Sequence, residues 1–429
     1  MELLETITAQ KARVCVIGLG YVGLPLALRL TQVGFPATGL DSDAERVDSL
    51  RRGLSPLLEI PDSAIRAAVE SGGFSVTTDP YCLAEADVVL LCVPTPLEDG
   101  FPNMSFIEQA GRSVAETLKS GQLIVLESTT YPGTTEELLR GILETSGLKA
   151  GVDFYLGFSP ERIDPGNEVF RLDNVPKIVG GFDPKSAELM EAFYRTFVDE
   201  VVPVSSAKTA EMAKLLENTY RHVNIALVNE IAILCHDLGV DVWEVIEAAS
   251  TKPFGFEAFY PGPGWGGHCI PVDPAFLSWR VRQMGSTARF VELAREFNQM
   301  MPSYVVQRLA EALNEQDKSL KGSSVLILGV TYKPEVRDVR ESPALEIIER
   351  LLKAGARVRF HDPYVSSIEL KNGKMMASEL APEVLGSADI VVLHTNHRAY
   401  EPQWISRHSR LIFDTRNFFK GVKGPILTL

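Results

Sequence analysis

Three glycines placed between a strand and a helix constrain the fold of this chain more than any other feature. The segment Gly18-Leu-Gly20-Tyr-Val-Gly23 follows the apolar run 13–17 and opens an amphipathic stretch that ends at Gly34. In such a turn the first glycine permits the tight bend, the second lets the backbone approach a pyrophosphate, and the third lets the helix pack on the strand. The amino terminus of the helix then faces the phosphates. The pattern predicts a dinucleotide-binding βαβ unit.

A carboxylate at the end of the next strand indicates which dinucleotide binds. The apolar run 37–40 is followed by Asp41, eighteen residues after Gly23. A carboxylate at this position hydrogen-bonds the adenosine ribose and repels a 2′-phosphate. We therefore expect the cofactor to be NAD rather than NADP.

Short apolar strands alternate with amphipathic helices in two parts of the chain. Continuous apolar runs such as 87–93 and 123–126 are typical of parallel strands that are buried on both faces. From residue 207 to about residue 300 the pattern is helical, interrupted only by a Gly/Pro-rich loop, 260–274. After residue 324 the alternation of strands and helices returns.

The two flanking parts resemble each other, which suggests a related fold for both. Three apolar segments recur in the same order, with 14–18, 86–91 and 123–126 resembling 325–329, 388–393 and 411–414. We predict an α/β fold with two Rossmann-like, doubly wound parallel-sheet domains, joined by a central helical section that contains a long helix. The expected domains are 1–206, 207–300 and 301–429. The second sheet domain has one glycine, Gly329, where three would be needed, so we expect it to hold the nucleotide part of a substrate and not a dinucleotide.

Charge and cysteine content exclude several classes of protein. The net charge of −14 argues against a surface dedicated to nucleic acid or anionic lipid. No apolar run approaches the length that a bilayer requires, and no His/Cys/carboxylate group has metal-ligand spacing, so we expect neither membrane insertion nor a metal. The odd number of five cysteines, with no metal-type pairs, indicates a reducing, cytoplasmic compartment.

One cysteine lies in the most unusual stretch of the chain. Four glycines and two prolines in the segment 261–268 precede Cys269. Glycines let backbone N–H groups converge on a ligand or on a developing oxyanion, which makes Cys269 a candidate nucleophile. The other cysteines fit the ordinary role of a small buried hydrophobe, three of them in predicted strands and one on a helix: Cys15, Cys82, Cys92 and Cys235.

A predicted helix that starts near Thr209 carries polar residues on one stripe. Lys214, Asn218 and Arg221 share this face, because residues three and four apart are neighbours on a helix. The apolar side chains on the other side are Met212, Leu215, Leu216 and Val223. Spacing alone favours an ordinary solvent-exposed face for the polar stripe.

These segments together resemble the UDP-glucose/GDP-mannose dehydrogenase family over almost the whole chain. Besides the glycine turn and the Cys269 loop, the resemblance rests on Val93-Pro-Thr-Pro96, Glu127-Ser-Thr129, Ser159-Pro-Glu161, Glu211-Met-Ala-Lys214-Leu-Leu-Glu-Asn218, Tyr332-Lys333 and Arg340-Glu-Ser-Pro343. It implies a four-electron oxidation, in which a sugar C6 alcohol becomes an aldehyde and is captured by a thiolate as a thiohemiacetal. A second oxidation then leaves a thioester, which water hydrolyses to the carboxylate.

The resemblance also implies the roles of individual residues. Cys269 matches the nucleophile, Lys214 and Asn218 match the pair that assists proton transfer and stabilises the oxyanion, and Asp273 matches an aspartate that orients water or the lysine. Thr129 matches a threonine near the nicotinamide, and Glu161 matches a base for thioester hydrolysis. The implied cofactor-binding residues are Gly18, Gly20, Tyr21, Val22, Gly23, Asp41, Arg46, Thr95, Thr129 and Arg340. The implied substrate-binding residues are Arg162, Ile163, Lys214, Asn218, Arg221, Gly266, Tyr332, Lys333 and Arg416.

The amino-acid sequence around Cys269 indicates which sugar nucleotide is the substrate. Gly-Gly-His-Cys269-Ile-Pro-Val-Asp-Pro resembles the branch of the family that acts on UDP-N-acetylhexosamines, and it implies UDP-N-acetylglucosamine as the substrate. Val272 stands where dehydrogenases for the non-acetylated sugar usually carry a lysine, and Pro165 stands where many relatives have a second glutamate. UDP-N-acetylmannosamine and UDP-N-acetylgalactosamine remain alternatives.

Two further alternatives are proteins with other functions. A two-electron 3-hydroxyacid dehydrogenase would also place a lysine and an asparagine on a long helix, but it has no use for the cysteine loop. A non-catalytic protein that binds NAD or a nucleotide sugar would bind without turnover.

We expect a homodimer packed through the long central helix, because a segment as apolar as 225–234 suggests more than one buried face.

Overall fold

The structure is a computed structural model that describes residues 2–57, 59–163, 169–267 and 270–429. The chain divides into two compact units, 1–217 with 275–286 and 218–274 with 287–429.

The first unit is built around one large sheet. Its strands are β1 Val14–Ile17, β2 Ala37–Leu40, β3 Phe74–Thr77, β4 Val88–Leu91, β5 Leu97–Glu98, β6 Phe101–Pro102, β7 Leu123–Leu126, β8 Tyr155–Phe158, β9 Lys177–Gly181 and β10 Val201–Val204. Its helices are α1 Leu3–Thr8, α2 Gly23–Gln32, α3 Ala44–Arg51, α4 Asp62–Glu70, α5 Ser105–Thr117, α6 Arg140–Leu143 and α7 Pro184–Tyr194. Shorter helical turns cover Pro80–Glu85, Thr134–Leu139 and Glu144–Ser146.

Eight strands of this unit form a sheet in the order β10-β9-β8-β7-β4-β1-β2-β3. All neighbours run parallel except β8 and β9, and β5 with β6 forms a separate hairpin. The strands β1, β4 and β7 are buried throughout, which explains their uninterrupted apolar sequences. The strand order reverses between β1 and β4, and ligands of doubly wound sheets bind beyond the carboxyl ends of the strands at such a point.

The second unit contains a smaller parallel sheet. Its strands are β11 Ser324–Leu328, β12 Arg357–His361, β13 Ser367–Leu370, β14 Gly373–Met376, β15 Ile390–Leu393, β16 Ile412–Asp414 and β17 Ile426–Thr428. The order is β12-β11-β15-β16-β17, with β13 and β14 in an antiparallel hairpin. The remaining helices of the chain are α8 Ala207–Leu238, α9 Val242–Ser250, α10 Asp273–Gln283, α11 Arg289–Asn314, α12 Pro343–Lys353, α13 Pro382–Ser387 and α14 Pro402–His408.

This topology confirms the predicted class of two Rossmann-like parallel-sheet domains and a long helix. The three recurring segments occupy matching places, since β1 and β11 are flanked by β2 and β4 and by β12 and β15. The pairs β4–β7 and β15–β16 complete the match. The long helix is α8, with 32 residues, and it begins in the first unit and ends in the second.

Two local features differ from the sequence prediction. Cys82 lies in the helical turn Pro80–Glu85 and not in a strand, because Pro80 has no N–H for a sheet ladder and suits the first position of a helical turn. Helix α11 continues past residue 300 to Asn314 with Pro302 inside it, so the helical pattern does not stop where the sequence suggested.

Candidate functional site

The glycine turn has the geometry of a dinucleotide cradle. Gly18 has a φ of 91°, and a methyl group there would lie 2.6 Å from the carbonyl oxygen of Cys92. A methyl group at Gly23 would lie 1.9 Å from the carbonyl oxygen of Gly18, which explains why the helix can begin so close to the turn. At Gly20 a methyl group would meet no atom within 4 Å, so this glycine faces open space. The turn therefore leaves room for a pyrophosphate at Gly20.

Asp41 connects this turn to the end of β2. Its buried carboxylate accepts hydrogen bonds from the backbone N–H of Leu19 at 2.8 Å and from that of Asp43 at 2.9 Å. The guanidinium of Arg46 lies 3.0 Å from the same carboxylate. The carboxylate is thereby fixed beside the glycine turn, where a ribose hydroxyl would bind, and the residues present fit NAD.

The other predicted cofactor residues of the first unit lie at the same edge of the sheet. Tyr21 and Val22 belong to the glycine turn, Thr95 follows β4 and Thr129 follows β7. The hydroxyl of Ser128 donates to the carbonyl oxygen of Val93 at 2.8 Å and so connects the two strand ends. The structure places Arg340 in the second unit, where its guanidinium contacts Asp338 at 2.9 Å.

Replacement of Asp41 by asparagine is expected to weaken the preference for NAD over NADP by about 10- to 100-fold. A hydrogen bond to a charged group contributes about 1.5–3 kcal/mol, and the neutral amide no longer repels a 2′-phosphate. The measurement is kcat/KM with each cofactor. Asp43→Asn is the matched control, because Asp43 caps α3 from a more exposed position, and its cofactor preference should stay unchanged. An unchanged preference in Asp41→Asn would contradict this role.

Sequence reasoning missed a buried ion cluster in the first unit. The ammonium of Lys177, at the start of β9, lies 2.7 Å from the carboxylate of Glu127 and 3.3 Å from that of Glu161. The hydroxyl of Tyr194 donates to the other oxygen of Glu127 at 2.5 Å. Lys177 and Glu127 are buried, so these charges are largely removed from water. The available signal was a lysine that opens the apolar run 178–181, a position where a charge is costly without a partner.

The charges of this cluster decide whether the carboxyl group of Glu161, the predicted base, is ionised. Burial opposes ionisation of Glu161, but Lys177 and the backbone N–H groups of Arg162 and Ile163, at 2.6 and 2.7 Å, hold its pKa below the usual value. Burial also opposes the charge of Lys177, yet the two carboxylates raise its pKa. For Glu127 burial dominates and its pKa is raised. The arrangement holds an ionised Glu161 beside a permanent ammonium.

Arg162 and Ile163, predicted to bind substrate, flank this carboxylate. The guanidinium of Arg162 lies 2.7 Å from the carboxylate of Glu217 and donates to the carbonyl oxygen of Pro176 at 2.6 Å. Residues 164–168, including Pro165, lie outside the described residues.

The polar stripe of α8 is buried, which corrects the expectation of a solvent-exposed face. Lys214 and Asn218 are 8% and 7% exposed, whereas Met212 and Leu216 of the supposed apolar face are 38% and 61% exposed. Only Arg221 of the stripe is exposed. Spacing could not reveal this, because periodicity shows which residues share a face but not which face packs inward.

Glu211 fixes the start of this helix to the loop that follows β7. Its two carboxylate oxygens accept hydrogen bonds from the backbone N–H groups of Gly133 and Thr135 at 2.5 and 2.9 Å, and from the Thr135 hydroxyl at 2.7 Å. Burial raises the pKa of Glu211 to about 7, although these donors favour the ionised form. Lys214 lies one turn further along the same helix.

In the second unit the structure brings two predicted catalytic residues together. The side-chain amide of Asn218 donates a hydrogen bond to the carboxylate of Asp273, and both residues are buried. Asp273 is the first residue of α10. Cys269, the predicted nucleophile, lies four residues earlier and, with His268, is outside the described residues.

The glycine-rich loop before Cys269 is held by further polar residues of α8. The side-chain oxygen of Asn229 accepts the backbone N–H of Gly262 at 2.9 Å, and its amide donates to Asn298 of α11 at the same distance. The rings of His222 and Trp265 lie 4.7 Å apart. Sequence analysis did not identify Asn229 or His222, although both continue the stripe of Asn218 along α8. These contacts fix the loop at Gly262 and at Trp265.

Replacement of Asn229 by alanine should lower kcat by about 10-fold or more and also reduce stability. It leaves the buried N–H of Gly262 without its acceptor, which costs about 1–3 kcal/mol, and it loosens the loop that carries Cys269. Steady-state kinetics and thermal unfolding measure both effects. Asn224→Ala is the control, because the amide of Asn224 donates only to a carbonyl of its own helix at an exposed position. Equal kinetics for the two variants would contradict an anchoring role.

The same loop packs closely on two predicted substrate residues. A methyl group at Gly266 would lie 2.7 Å from the side chain of Tyr332, and one at Gly262 would lie 2.4 Å from the guanidinium of Arg416. Arg416 donates to the carbonyl oxygen of His394 at 3.0 Å, and burial lowers its pKa to about 10 although Asp414 opposes this. A partly desolvated guanidinium is a strong partner for a diphosphate. The ammonium of Lys333 lies 5.8 Å from the ring centroid of Tyr332.

The second sheet repeats the carboxylate contact of the first sheet, but a histidine ring occupies the position beside it where a ribose would bind. Asp362 follows β12 as Asp41 follows β2, and its carboxylate accepts the N–H of Val330 at 2.8 Å, as Asp41 accepts that of Leu19. The buried ring of His397 fills the space beside it, 3.2 Å from the carboxylate. These contacts support the expectation that this sheet does not hold a dinucleotide in the manner of the first.

The described residues contain no group of three or more side chains that could hold a metal ion. In the described part of the chain, no helix combines the length and apolar character needed to cross a membrane.

Comparison with known proteins identifies the family. Models of the UDP-glucose/GDP-mannose dehydrogenase family match three consecutive segments: its NAD binding domain at residues 12–198, its central domain at 208–300 and its UDP binding domain at 326–421. The chain belongs to the UDP-glucose/GDP-mannose dehydrogenase family. It is therefore an NAD-dependent UDP-sugar dehydrogenase, with NAD as its cofactor and a UDP-sugar as its substrate.

Individual members of the family match over most of the chain. The UDP-N-acetyl-D-mannosamine dehydrogenase of Pyrococcus horikoshii is 37% identical over 415 residues, which are 95% of this chain and 96% of that protein. A solved structure of UDP-D-ManNAc dehydrogenase from Pyrococcus horikoshii gives a TM-score of 0.89 at 35% identity and covers 97% of this chain and 98% of that one. The UDP-N-acetyl-D-glucosamine 6-dehydrogenase of Pseudomonas aeruginosa is 37% identical over 362 residues, 83% of each protein.

Proposed function

We propose that this dehydrogenase oxidises the C6 alcohol of a UDP-N-acetylhexosamine to the carboxylate in two steps, with UDP-N-acetylglucosamine as the first candidate. The observation that carries the proposal is the hydrogen bond between the buried residues Asn218 and Asp273. In the sequence, Asn218 precedes the glycine loop of Cys269 and Asp273 follows it. A simple two-electron alcohol dehydrogenase has no use for a cysteine in a loop built for close approach.

The residues act in sequence on the sugar. The glycine turn and Asp41 would hold one NAD at a time, and each of the two oxidations would use a separate NAD as its hydride acceptor. Lys214 and Asn218 stabilise the oxyanion that develops at C6, since both are buried and therefore act at low dielectric. The Cys269 thiolate adds to the aldehyde, so that no free aldehyde is released. Glu161, held ionised beside Lys177, removes a proton from the water that hydrolyses the thioester.

The nucleotide half of the substrate is assigned to the second unit. Arg416, Tyr332 and Lys333, with the backbone at Gly266, supply the cation and the surfaces that a uridine diphosphate needs. Arg162, Ile163 and Arg221 complete the proposed substrate residues. We assign the cofactor, central and UDP-sugar functions to residues 1–206, 207–300 and 301–429.

The sugar itself requires a direct test, because relatives of similar identity carry the names of different epimers. Purified protein with NAD should be given UDP-N-acetylglucosamine, UDP-N-acetylmannosamine, UDP-N-acetylgalactosamine and UDP-glucose in parallel. We expect a uronic acid from the first, with two NADH formed per sugar consumed. A higher kcat/KM with an epimer would replace the substrate within the same chemistry. One NADH per sugar and no acid would reject the four-electron reaction.

We further propose a homodimer formed through α8 and α11. Apolar side chains are exposed along α8, at Tyr220, Leu227, Leu234 and Leu238, and along α11, at Phe290 and Leu293. Exposed apolar surface of this extent on long helices is typical of an interface. The proposed partner is a second copy of the chain, because residues 225–234 are mostly apolar while Leu227 and Leu234 are exposed on the single chain.

Leu227→Glu is expected to shift the protein from dimer to monomer, since it places a charge in the proposed apolar interface. Size-exclusion chromatography with light scattering measures the mass. Val152→Glu is the control, because Val152 is also exposed but belongs to neither helix, and it should remain dimeric. A dimeric Leu227→Glu variant, or a monomeric unaltered protein, would reject the interface.

A further inference from the structure

Two cysteines of the first unit face each other away from the proposed chemistry. The Sγ atoms of Cys15, on β1, and Cys82, in the turn Pro80–Glu85, lie 3.8 Å apart. Cys15 is buried and Cys82 is partly exposed. They are 67 positions apart in the sequence, so their proximity is a result of folding alone.

A cavity of about 120 Å³ lies directly beside the two sulfur atoms. It is lined by Arg13 and Val14 at the start of β1, by Pro36 and Thr38 around the start of β2, and by Glu85 and Ala86. The amino ends of these strands are opposite to the edge that carries Gly18 and Asp41. The pair is therefore separate from the cofactor cradle, and the cavity leaves space beside the two cysteine side chains.

We propose that Cys15 and Cys82 form a dithiol site that closes to an intramolecular disulfide when a low-molecular-weight disulfide such as oxidised glutathione reaches the partly exposed Cys82. The sulfur atoms are already in contact, and a bond of about 2.05 Å requires them to approach by less than ~2 Å. Side-chain rotation into the neighbouring space supplies that movement. The guanidinium of Arg13, at the cavity wall, is paired with the carboxylates of Glu85 and Asp87, so the proposal rests on the contact between the two sulfur atoms and not on attraction by charge.

The two thiols have different roles. The contact between the two thiols lowers the pKa of Cys82, while the same contact and burial raise the pKa of Cys15. The neighbouring carboxylates of Asp79 and Glu85 act in the opposite direction on Cys82. Cys82, the more accessible sulfur, is thus the attacking thiolate and Cys15 the resolving thiol.

The exchange balances in two steps. The Cys82 thiolate attacks one sulfur of oxidised glutathione, forms a mixed disulfide and displaces one glutathione thiolate. Cys15 then loses its proton and attacks the Cys82 sulfur, which forms the Cys15–Cys82 bond and releases the second glutathione. The protein loses two electrons and two protons, and the reagent is reduced to two thiols.

The test uses the full-length protein treated with oxidised glutathione, then alkylated under denaturing conditions and digested without reduction. We expect a peptide that links Cys15 and Cys82, which disappears after dithiothreitol. Cys235→Ser, which removes a buried cysteine of α8, should give the same linked peptide. Cys82→Ser should give none and should leave Cys15 free for alkylation, with turnover close to that of the unaltered protein, because Cys82 has no part in the proposed catalysis.

A second readout is the unfolding temperature. Closing a long loop restricts the unfolded chain, so oxidised protein should unfold at a higher temperature than reduced protein, and Cys82→Ser should show no such difference. A stable glutathione adduct on Cys82 without the crosslink would overturn the proposal. A crosslink from Cys82 to another cysteine, or both thiols remaining free under oxidation, would overturn it as well.

Discussion

Replacement of Cys269 by alanine is expected to abolish uronic acid formation, with a loss of at least about 1,000-fold in the rate of acid production. Without the thiolate no thiohemiacetal forms, and the second oxidation has no covalent substrate. The first oxidation does not need the sulfur, so a small amount of NADH and free aldehyde should still appear. The measurement is acid by mass spectrometry together with NADH by absorbance.

The control for this prediction is Cys235→Ala, which removes a buried cysteine on α8 and should keep both products. Retained binding of NAD by Cys269→Ala would show that the variant is folded. If Cys269→Ala still formed acid with two NADH per sugar, the covalent route would be wrong. If it lost NAD binding too, the loop would have a structural role in addition to a chemical one.

Lys177→Met is expected to have the second largest effect, acting on stability and on catalysis together. It leaves two carboxylates, Glu127 and Glu161, without their shared cation, and breaking a buried ion pair in this way costs about 3–5 kcal/mol. Lys177 also holds the pKa of Glu161 low. Its removal raises that pKa, so the pH above which Glu161 is ionised and thioester hydrolysis is fast moves upward. Thermal unfolding and a pH profile of kcat test both parts.

Two further variants separate a catalytic effect from misfolding. Lys177→Arg keeps the charge and should retain the pH profile while losing some stability. The double variant Glu127→Gln/Lys177→Met removes one charge of each sign and should recover stability relative to Lys177→Met. Its pH profile should lie between those of Lys177→Met and the unaltered protein, because Glu161 loses a repelling carboxylate together with its cation. An unchanged pH profile in Lys177→Met itself would show that Lys177 does not act on Glu161.

Much of the fold could be predicted from short segments because they describe local geometry. The glycine turn, the run 37–40 and Asp41 specify a βαβ unit, and the structure forms it with Asp41 bonded to the N–H of Leu19. The three recurring segments become equivalent strands in two sheets. Apolar periodicity is sufficient here because a strand buried on both faces must be apolar at every position.

The orientation of α8 could not be predicted in the same way. Lys214 and Asn218 pack inward while Leu216 is exposed, the reverse of what polarity alone suggests. Burying these groups is costly, and it is tolerated where partners from distant segments satisfy them, as Asp273 does for Asn218. Such partners are more than fifty positions away in the sequence, so no local window contains both.

The sequence by itself determined the α/β class and the NAD-binding glycine turn with Asp41, because each depends on a few neighbouring positions with a fixed local geometry. The roles of the other candidate site residues came from the family resemblance and stay predictions. Only the tertiary structure decided that Lys177 links Glu127 to Glu161, that Asn229 holds the loop of Cys269, and that Cys15 meets Cys82. All of these contacts join segments that are far apart in the chain. They form only when packing brings the segments together and removes water from the charges and thiols between them.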